Sequence, residues 1–206
     1  GEIREHSEAG CPVGTSLTVD HIFDSVPVRK KFLKSDTTEQ GYCLDIMNRI
    51  ALSYPEIKFR LVNNGREVFH LPAAANTAER ISLLLGGDFA SQLVPVRGRR
   101  GDIVVSGMAS TPTLTKSNSR HLSFYVNRRY THDHLLNHAV MTAYRHLLEA
   151  KKYPAAVIFI DLPPAEVDVN VHPAKLEVRF QNPRAVYEAV LEAVVGALAG
   201  ITPATA

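Results

Sequence analysis

The chain has 206 residues, 45% of them hydrophobic, and a formal net charge of +2. That length and apolar share allow a real core in one or two domains, whereas so small a net charge excludes attraction to nucleic acid by total charge alone; any such attraction must come from clustering. Two cysteines, Cys11 and Cys43, give neither a disulfide framework nor a metal knuckle, no apolar run reaches bilayer length, and the charged opening GEIREHSE is not signal-like. The expectation is a reducing compartment and a piece of a longer protein.

In chain order, residues 1–19 hold two strand candidates around a turn, with Leu17 and Val19 alternating, and a turn is expected at Pro27. Asp36 and Glu39 read as a capping pair, and Cys43, Ile46, Met47, Ile50 and Tyr54 recur at helical spacing, which predicts an amphipathic helix over 37–53 that Pro55 ends. Residues 57–62 and 66–71 flank Asn63–Asn64–Gly65, the signature of a tight hairpin. Thr77 is positioned to cap a helix through Leu85 that stops at Gly86–Gly87. Strands are then expected near 92–97, 101–110 and 121–127, a helix over about 133–150, and strands at 155–161, 166–171 and 176–180. A last helix starts at Pro183 behind the cap Asn182. Strands and helices do not alternate as in a doubly wound sheet, so the class is mixed α+β. No internal repeat is visible.

The residues 167–180, VDVNVHPAKLEVRF, set Lys175 on a short connection between two alternating runs. Pro173 fixes its own backbone angle and biases His172 toward extended geometry, so the connection is stiff and aims the lysine. Such a lysine is either a solvated hairpin residue or a point charge suited to a phosphate. His134 and His138 share a helix face, which exposed histidines explain better than a metal pair because no HExxH arrangement is present. No GxSxG turn, GxGxxG or GxxxxGK occurs, so neither nucleophilic catalysis nor a self-contained phosphate cradle has sequence support. Basic residues crowd three places: Arg29, Lys30, Lys31 and Lys34 in one turn, Arg97, Arg99 and Arg100 in a Gly-flanked loop, and Arg128–Arg129 after a strand. Each group read singly is either solvated surface or part of a DNA-facing patch. Lys34, Arg49, Arg129 and Arg184, if they converge on one groove, would neutralise phosphates without reading bases.

Three blocks carry a resemblance. Residues 168–180, DVNVHPAKLEVRF, resemble the signature near the end of the ATPase region of MutL-type DNA mismatch-repair proteins. Residues 14–33, GTSLTVDHIFDSVPVRKKFL, are similar to that family's GTxxxVxxLFxNxPxRxKFL segment, with His21, Ile22 and Asp24–Ser25 as local variations. Residues 124–139, FYVNRRYTHDHLLNHA, resemble its YVNGRxxxDxxLxxA block. The blocks stand in the family order and span nearly the whole chain.

The resemblance implies the C-terminal part of a GHKL ATPase sheet domain over residues 1–76, followed over 77–206 by a transducer domain with a ribosomal-protein-like, left-handed βαβ fold. It implies that Thr15 supports the adenine side of an ATP site, that Lys175 reaches the γ-phosphate, and that Lys34, Arg49, Arg129 and Arg184 line a non-specific DNA groove. At His134 the family often carries a fixed positive charge. The family's Glu/Asn helix, DxGxG segment and glycine-rich lid are not in this sequence, so ATP and magnesium belong to the full-length parent; this fragment alone is expected to need neither and to hydrolyse nothing. A MutS-type mismatch-recognition partner, a homodimeric parent, no membrane contact, and a cytoplasmic location in a bacterium or a nuclear one in a eukaryote follow by the same resemblance. The rival readings are a non-enzymatic nucleic-acid-binding module with the same small fold, which has no reason to keep Lys175 on a rigid HPAK loop, and a type II topoisomerase ATPase, against which the combination of HPAK with PVRKKFL argues.

Overall fold

A computed structural model describes residues 6, 10, 13–168 and 177–201. The chain divides into two compact units, 1–43 and 44–206.

In the first unit the stretch 13–20 forms no strand, and Leu17 and Val19 are exposed. The alternation at Leu17 and Val19 therefore does not yield the expected strand. A strand needs a neighbour for its backbone donors and acceptors, and none is present among the described residues. A turn closes from Asp24 N–H to the His21 carbonyl at 2.9 Å. Pro27 then opens a short helix, α1 (Pro27–Lys30), where a plain turn was expected. Helix α2 (Asp36–Ser53) follows. Its start differs from the Asp36/Glu39 pair read in sequence. Asp36 is the first helical residue, the Ser35 and Thr38 hydroxyls pair at 2.9 Å, and the Glu39 carboxylate accepts from the Lys34 amide at 2.8 Å.

In the second unit α2 buries Ala51, Leu52 and Ser53, while Ile46 and Ile50 of the expected apolar stripe are 54% and 40% exposed. Strands β1 (Phe59–Asn63) and β2 (Arg66–Leu71) form the expected hairpin. Asn64 and Gly65 sit at φ 47° and 74°, the left-handed pair that a two-residue turn of matching twist requires. Helix α3 (Thr77–Leu85) is capped by Asn76, whose side chain accepts from the Glu79 amide at 3.0 Å, and not by Thr77. Arg80 on α3 is fully buried and donates 2.6 Å bonds to the Pro55 and Ile57 carbonyls, tying the loop after α2 to this helix. Burial pulls its pKa down. A short α4 (Gly87–Ala90) was not foreseen.

Five strands then build one mixed sheet in the order β3-β4-β7-β5-β6: β3 (Leu93–Arg100), β4 (Ile103–Ser110), β5 (Leu122–Val126), β6 (Arg129–Thr131) and β7 (Ala156–Asp161). Only β5 and β7 pair in parallel. Arg97, Arg99 and Arg100 thus lie in β3 and not in a loop. Helices α5 (His134–Ala143) and α6 (Pro183–Ala199) cover one face over Val96, Val105, Phe124, Ile158 and Ile160. Leu52 of α2 and Ile81 of α3 pack on the other over Tyr125, Val157 and Phe159. The period-two pattern of β5 explains the split: Leu122, Phe124 and Val126 face α5 and α6, Tyr125 faces α2. Asp133 and Asn182 cap α5 and α6 with their side chains. Helix α5 stops at Ala143, seven residues short of its expected end, and gives way to turns such as Leu147 N–H to the Tyr144 carbonyl at 2.9 Å. Strands β8 (Val167–Asp168) and β9 (Arg179–Phe180) pair antiparallel. The expected connection between them, with His172, Pro173 and Lys175, lies outside the described residues.

Two glycines make opposite predictions. Gly107 on β4 has φ 138°, and a Cβ there would stand 2.0 Å from the Val157 carbonyl oxygen; at Gly196 on α6 a Cβ meets nothing within 4 Å. Gly107→Ala is expected to cost about 3 kcal/mol or more, and Gly196→Ala to add about 0.5–1 kcal/mol, as read by urea unfolding.

Tyr144 supplies a pH signature. Its buried hydroxyl donates to the Ser110 carbonyl, and burial pushes its pKa up to about 12. A raised phenol favours the fold while protonated, so this contribution is full below the unfolded value near 10 and disappears as pH climbs toward 12. Tyr144→Phe should lose about 1 kcal/mol at neutral pH and show a shallower decline in melting temperature between pH 10 and 12.

Candidate nucleic-acid interface

Strands β5 and β7 run in parallel, and β3 shares their direction because β4 stands antiparallel between β3 and β7. The C-terminal ends of all three therefore lie at one end of the sheet. The β5–β6 turn is there too, made by Asn127 and Arg128 at φ 47° and 65°. The sequence block YVNRR carries Arg128 where the resembling motif has glycine, so a residue with a Cβ holds a left-handed conformation that glycine takes freely.

Two contacts hold that arginine. Its Nη1 donates to Glu56 Oε1 at 2.6 Å, and its guanidinium lies 5.5 Å from the Tyr54 ring centroid. Glu56 is held below the usual carboxylate range, first by a backbone hydrogen bond and then by Arg128. A second arginine–tyrosine pair stands beside the first. Arg49 of α2 lies 4.1 Å over the Tyr130 ring and is ion-paired to Asp45 one turn earlier. Tyr130 meets Tyr125 edge-on, with 5.7 Å between centroids, and Tyr125 stacks on Phe159 at 4.8 Å. Burial pushes the Tyr130 hydroxyl up. Together Ile46, Arg49, Ile50, Tyr54 and residues 127–130 line an open hollow of about 380 Å³ with an apolar floor and an arginine rim.

Of the four residues expected at a DNA groove, Arg49 and Arg129 meet in this hollow, and Arg128, the other member of the basic pair after β5, joins them. Arg129 has no ion pair among the described residues. Arg184 does not line it. Helix α6 runs antiparallel to β3, since Arg100 at the end of β3 bonds Glu188 and Glu192 while Gly98 meets Ala193. Arg184 therefore stands at the same end of the sheet but in the other helix layer, with Nε 2.8 Å from Glu188 Oε1. Lys34 and Thr15 belong to the first unit, both exposed, and Lys175 lies outside the described residues. His134 stands 5.7 Å from His132 and His138 stacks on Tyr187 at 5.5 Å. Among the described residues no group of three or more His, Cys, Asp or Glu is placed to hold a metal ion, and no helix is long and apolar enough to cross a membrane.

Comparison with known proteins decides the family. A family profile described as "DNA mismatch repair protein, C-terminal domain" matches residues 81–199. The chain belongs to the DNA mismatch repair protein family. DNA mismatch repair protein MutL of Syntrophus aciditrophicus is 55% identical over 98% of this chain and 33% of its own length. MutL of Geobacter sp. strain M21 is 40% identical over 96% of the chain and 30% of its own length. This mismatch-repair chain thus spans about a third of the length of the curated relatives it matches.

The fold agrees. A crystal structure of the N-terminal domain of a DNA repair protein superposes with a TM-score of 0.67 at 22% identity, over 84% of this chain and 58% of that one. The Aquifex aeolicus MutL ATPase domain complexed with ADP gives 0.52 at 21% identity, over 82% and 54%. The mixed α+β architecture is that of MutL ATPase-domain structures.

Arg128 in this mismatch-repair chain yields a clean comparison. Arg128→Gly relieves the left-handed strain and removes the contacts to Glu56 and Tyr54; Arg128→Ala removes the same contacts and keeps the strain. The glycine variant should be the more stable of the two by about 1 kcal/mol in chemical denaturation.

Proposed function

We propose that this chain is the transducing piece of a MutL-type mismatch-repair ATPase: it couples ATP binding in the full-length protein to a change of conformation, and it binds DNA without sequence preference. The observation that carries the DNA half is the gathering of Arg49, Arg128 and Arg129 on one hollow at one end of the sheet, with Arg129 free of any acidic partner among the described residues. Arginines at a groove neutralise backbone phosphates, contacts that fix position and carry no sequence information. Lys34 and Arg184 extend the same reading, and Arg184 has to exchange Glu188 for a phosphate.

The nucleotide half rests on the motif blocks and on the relatives' names. Thr15 and Lys175 are the residues this chain would bring to ATP; the base, the magnesium ligands and the lid would come from elsewhere in the parent. The sequence carries no GxGxxG or GxxxxGK phosphate loop, so no catalytic step is derived for this chain. A lysine on the terminal phosphate would report its presence, and losing that contact on hydrolysis would release the second domain. The division at residues 76 and 77 into ATPase and transducer domains, a homodimeric parent, a MutS-type partner and a bacterial cytoplasmic setting complete the reading. A non-enzymatic binding module with a ribosomal-protein-like fold is not favoured by the family membership.

Duplex binding by the fragment should weaken steeply with salt, each true phosphate contact adding about −0.9 to the slope of log affinity against log salt. Arg129→Ala and Arg49→Ala are each expected to flatten that slope by roughly one and to weaken all sequences alike. Unchanged slopes in both would remove the DNA reading.

In the complete parent, Lys175→Ala should weaken ATP-driven closure or hydrolysis by about 1.5–3 kcal/mol, the range of a charge-assisted hydrogen bond. The same variant should leave the fragment's melting temperature unaltered. Turnover, nucleotide affinity and closure all matching the unmodified parent would rule the role out.

A further inference from the structure

A second hollow, of about 170 Å³, opens on the α2 side of the sheet, and its basic rim lies outside all three sequence blocks. Leu52, Leu85, Phe89, Leu93 and Val157 make its floor. Arg49 and Asp45 of α2 stand on one side of the rim. Arg120 and His121, from the single 3-10 turn Ser119–His121, stand on the other. That turn is fixed by Asn118, whose side chain accepts from the Arg120 amide at 3.0 Å. Lys116 joins from the preceding loop, its Nζ 5.1 Å from the centroid of the floor residue Phe89. The loop is pinned in turn by paired backbone bonds of 2.8 and 2.9 Å between Lys116 and Tyr153.

The charges around this hollow do not balance. Asp45 is the one acid among its lining residues, and Arg49 already engages it. Lys116, Arg120 and His121 have no ion pair among the described residues. Burial first, and then the Lys116 cation, push the His121 pKa down, which favours its neutral, hydrogen-bonding form beside the two unpaired cations Lys116 and Arg120. Three basic groups of different reach around a concave apolar floor match a ligand with a compact anion at one end and a flat apolar body at the other.

We propose that this hollow binds the phosphate of a nucleotide unit. Lys116, Arg120 and His121 meet the phosphate oxygens, and the sugar or base rests on Leu52 and Phe89. The unit is either part of a DNA strand or a free nucleotide, because both offer the same chemistry. The site does not depend on the DNA reading of the Arg128–Arg129 turn, which lines a different hollow.

The test is an NMR titration of the 206-residue chain, following Arg120 and His121, with thymidine 5′-monophosphate in one arm and a short duplex with 5′-hydroxyl ends in the other. Saturable shifts at both residues are expected in at least one arm. Arg120→Ala and Lys116→Ala should each weaken that binding about tenfold, while Arg66→Ala on the exposed strand β2 leaves it unchanged; circular dichroism and thermal melts verify that all three variants fold. Saturation by the duplex alone assigns the site to a DNA backbone, and saturation by the monophosphate assigns it to a free nucleotide. Absence of saturable shifts at Arg120 and His121 in both arms, or affinity untouched by Arg120→Ala and Lys116→Ala, overturns the proposal.

Discussion

Burial of β7 on both faces is the constraint from which the second unit follows. Ala156 through Ile160 are all buried, so their backbone groups can be met only by strands on either side. β4 meets them antiparallel and β5 meets them parallel. A parallel neighbour requires a long return path, and α5 lies on it, which places that helix on one face. The opposite face needs its own cover, and Leu52 and Ile81 of α2 and α3 supply it. The close approach of Gly107 to the Val157 carbonyl is the local cost of drawing β4 against this strand. Alternation then carries each side chain to its layer: Phe159, Tyr125 and Tyr130 form a row under α2, and Ile158 and Phe124 sit under α5 and α6.

The aromatic row has a functional consequence. Tyr130 ends it at the sheet edge and receives the guanidinium of Arg49, so α2 is coupled to the β5–β6 hairpin through a face contact and not through a long flexible salt bridge. Arg128 makes the same kind of link to Tyr54 and Glu56 just beyond α2. Surface ion pairs contribute little by themselves. Two arginine–tyrosine pairs, one at either side of a hollow, nonetheless restrict where the helix can stand relative to the hairpin. A displacement of α2 driven by nucleotide would on the proposed reading be passed to the arginines of the turn through these two pairs.

Arg49 serves two hollows, since it lines both the arginine-rimmed one and the smaller one near His121. With Asp45 on one side and Tyr130 below, it is the wall between them. On the proposed DNA reading its contribution is therefore conditional on a partner already present, unlike that of Arg129. Arg184 is conditional in the same way, because Glu188 holds it and also takes Arg100. The acids beside the expected DNA contacts set how much phosphate each arginine is free to meet.

The sequence by itself determined those features whose cause is local. Asn64–Gly65 makes its turn because both residues accept left-handed angles, Asn182 and Pro183 start α6 because one caps and the other cannot donate, and three ordered blocks marked the mismatch-repair family. A neighbouring residue takes the part where two can play it locally, as Asn76 caps α3 in place of Thr77. Only the tertiary structure decided the rest. The stripe Ile46–Ile50 has helical spacing, yet spacing states that a face is apolar and not what it meets; here it floors an open hollow. Arg80 looks like any helical arginine until the Pro55 and Ile57 carbonyls come to it from more than twenty positions away. Arg49 and Arg129 met and Arg184 did not, because convergence depends on which helix layer a residue occupies, and layers are assigned by strand pairing across long separations. Lys116, Arg120 and His121 carried no motif at all, and their shared hollow exists because a 3-10 turn, α2 and α4 are packed on the same sheet.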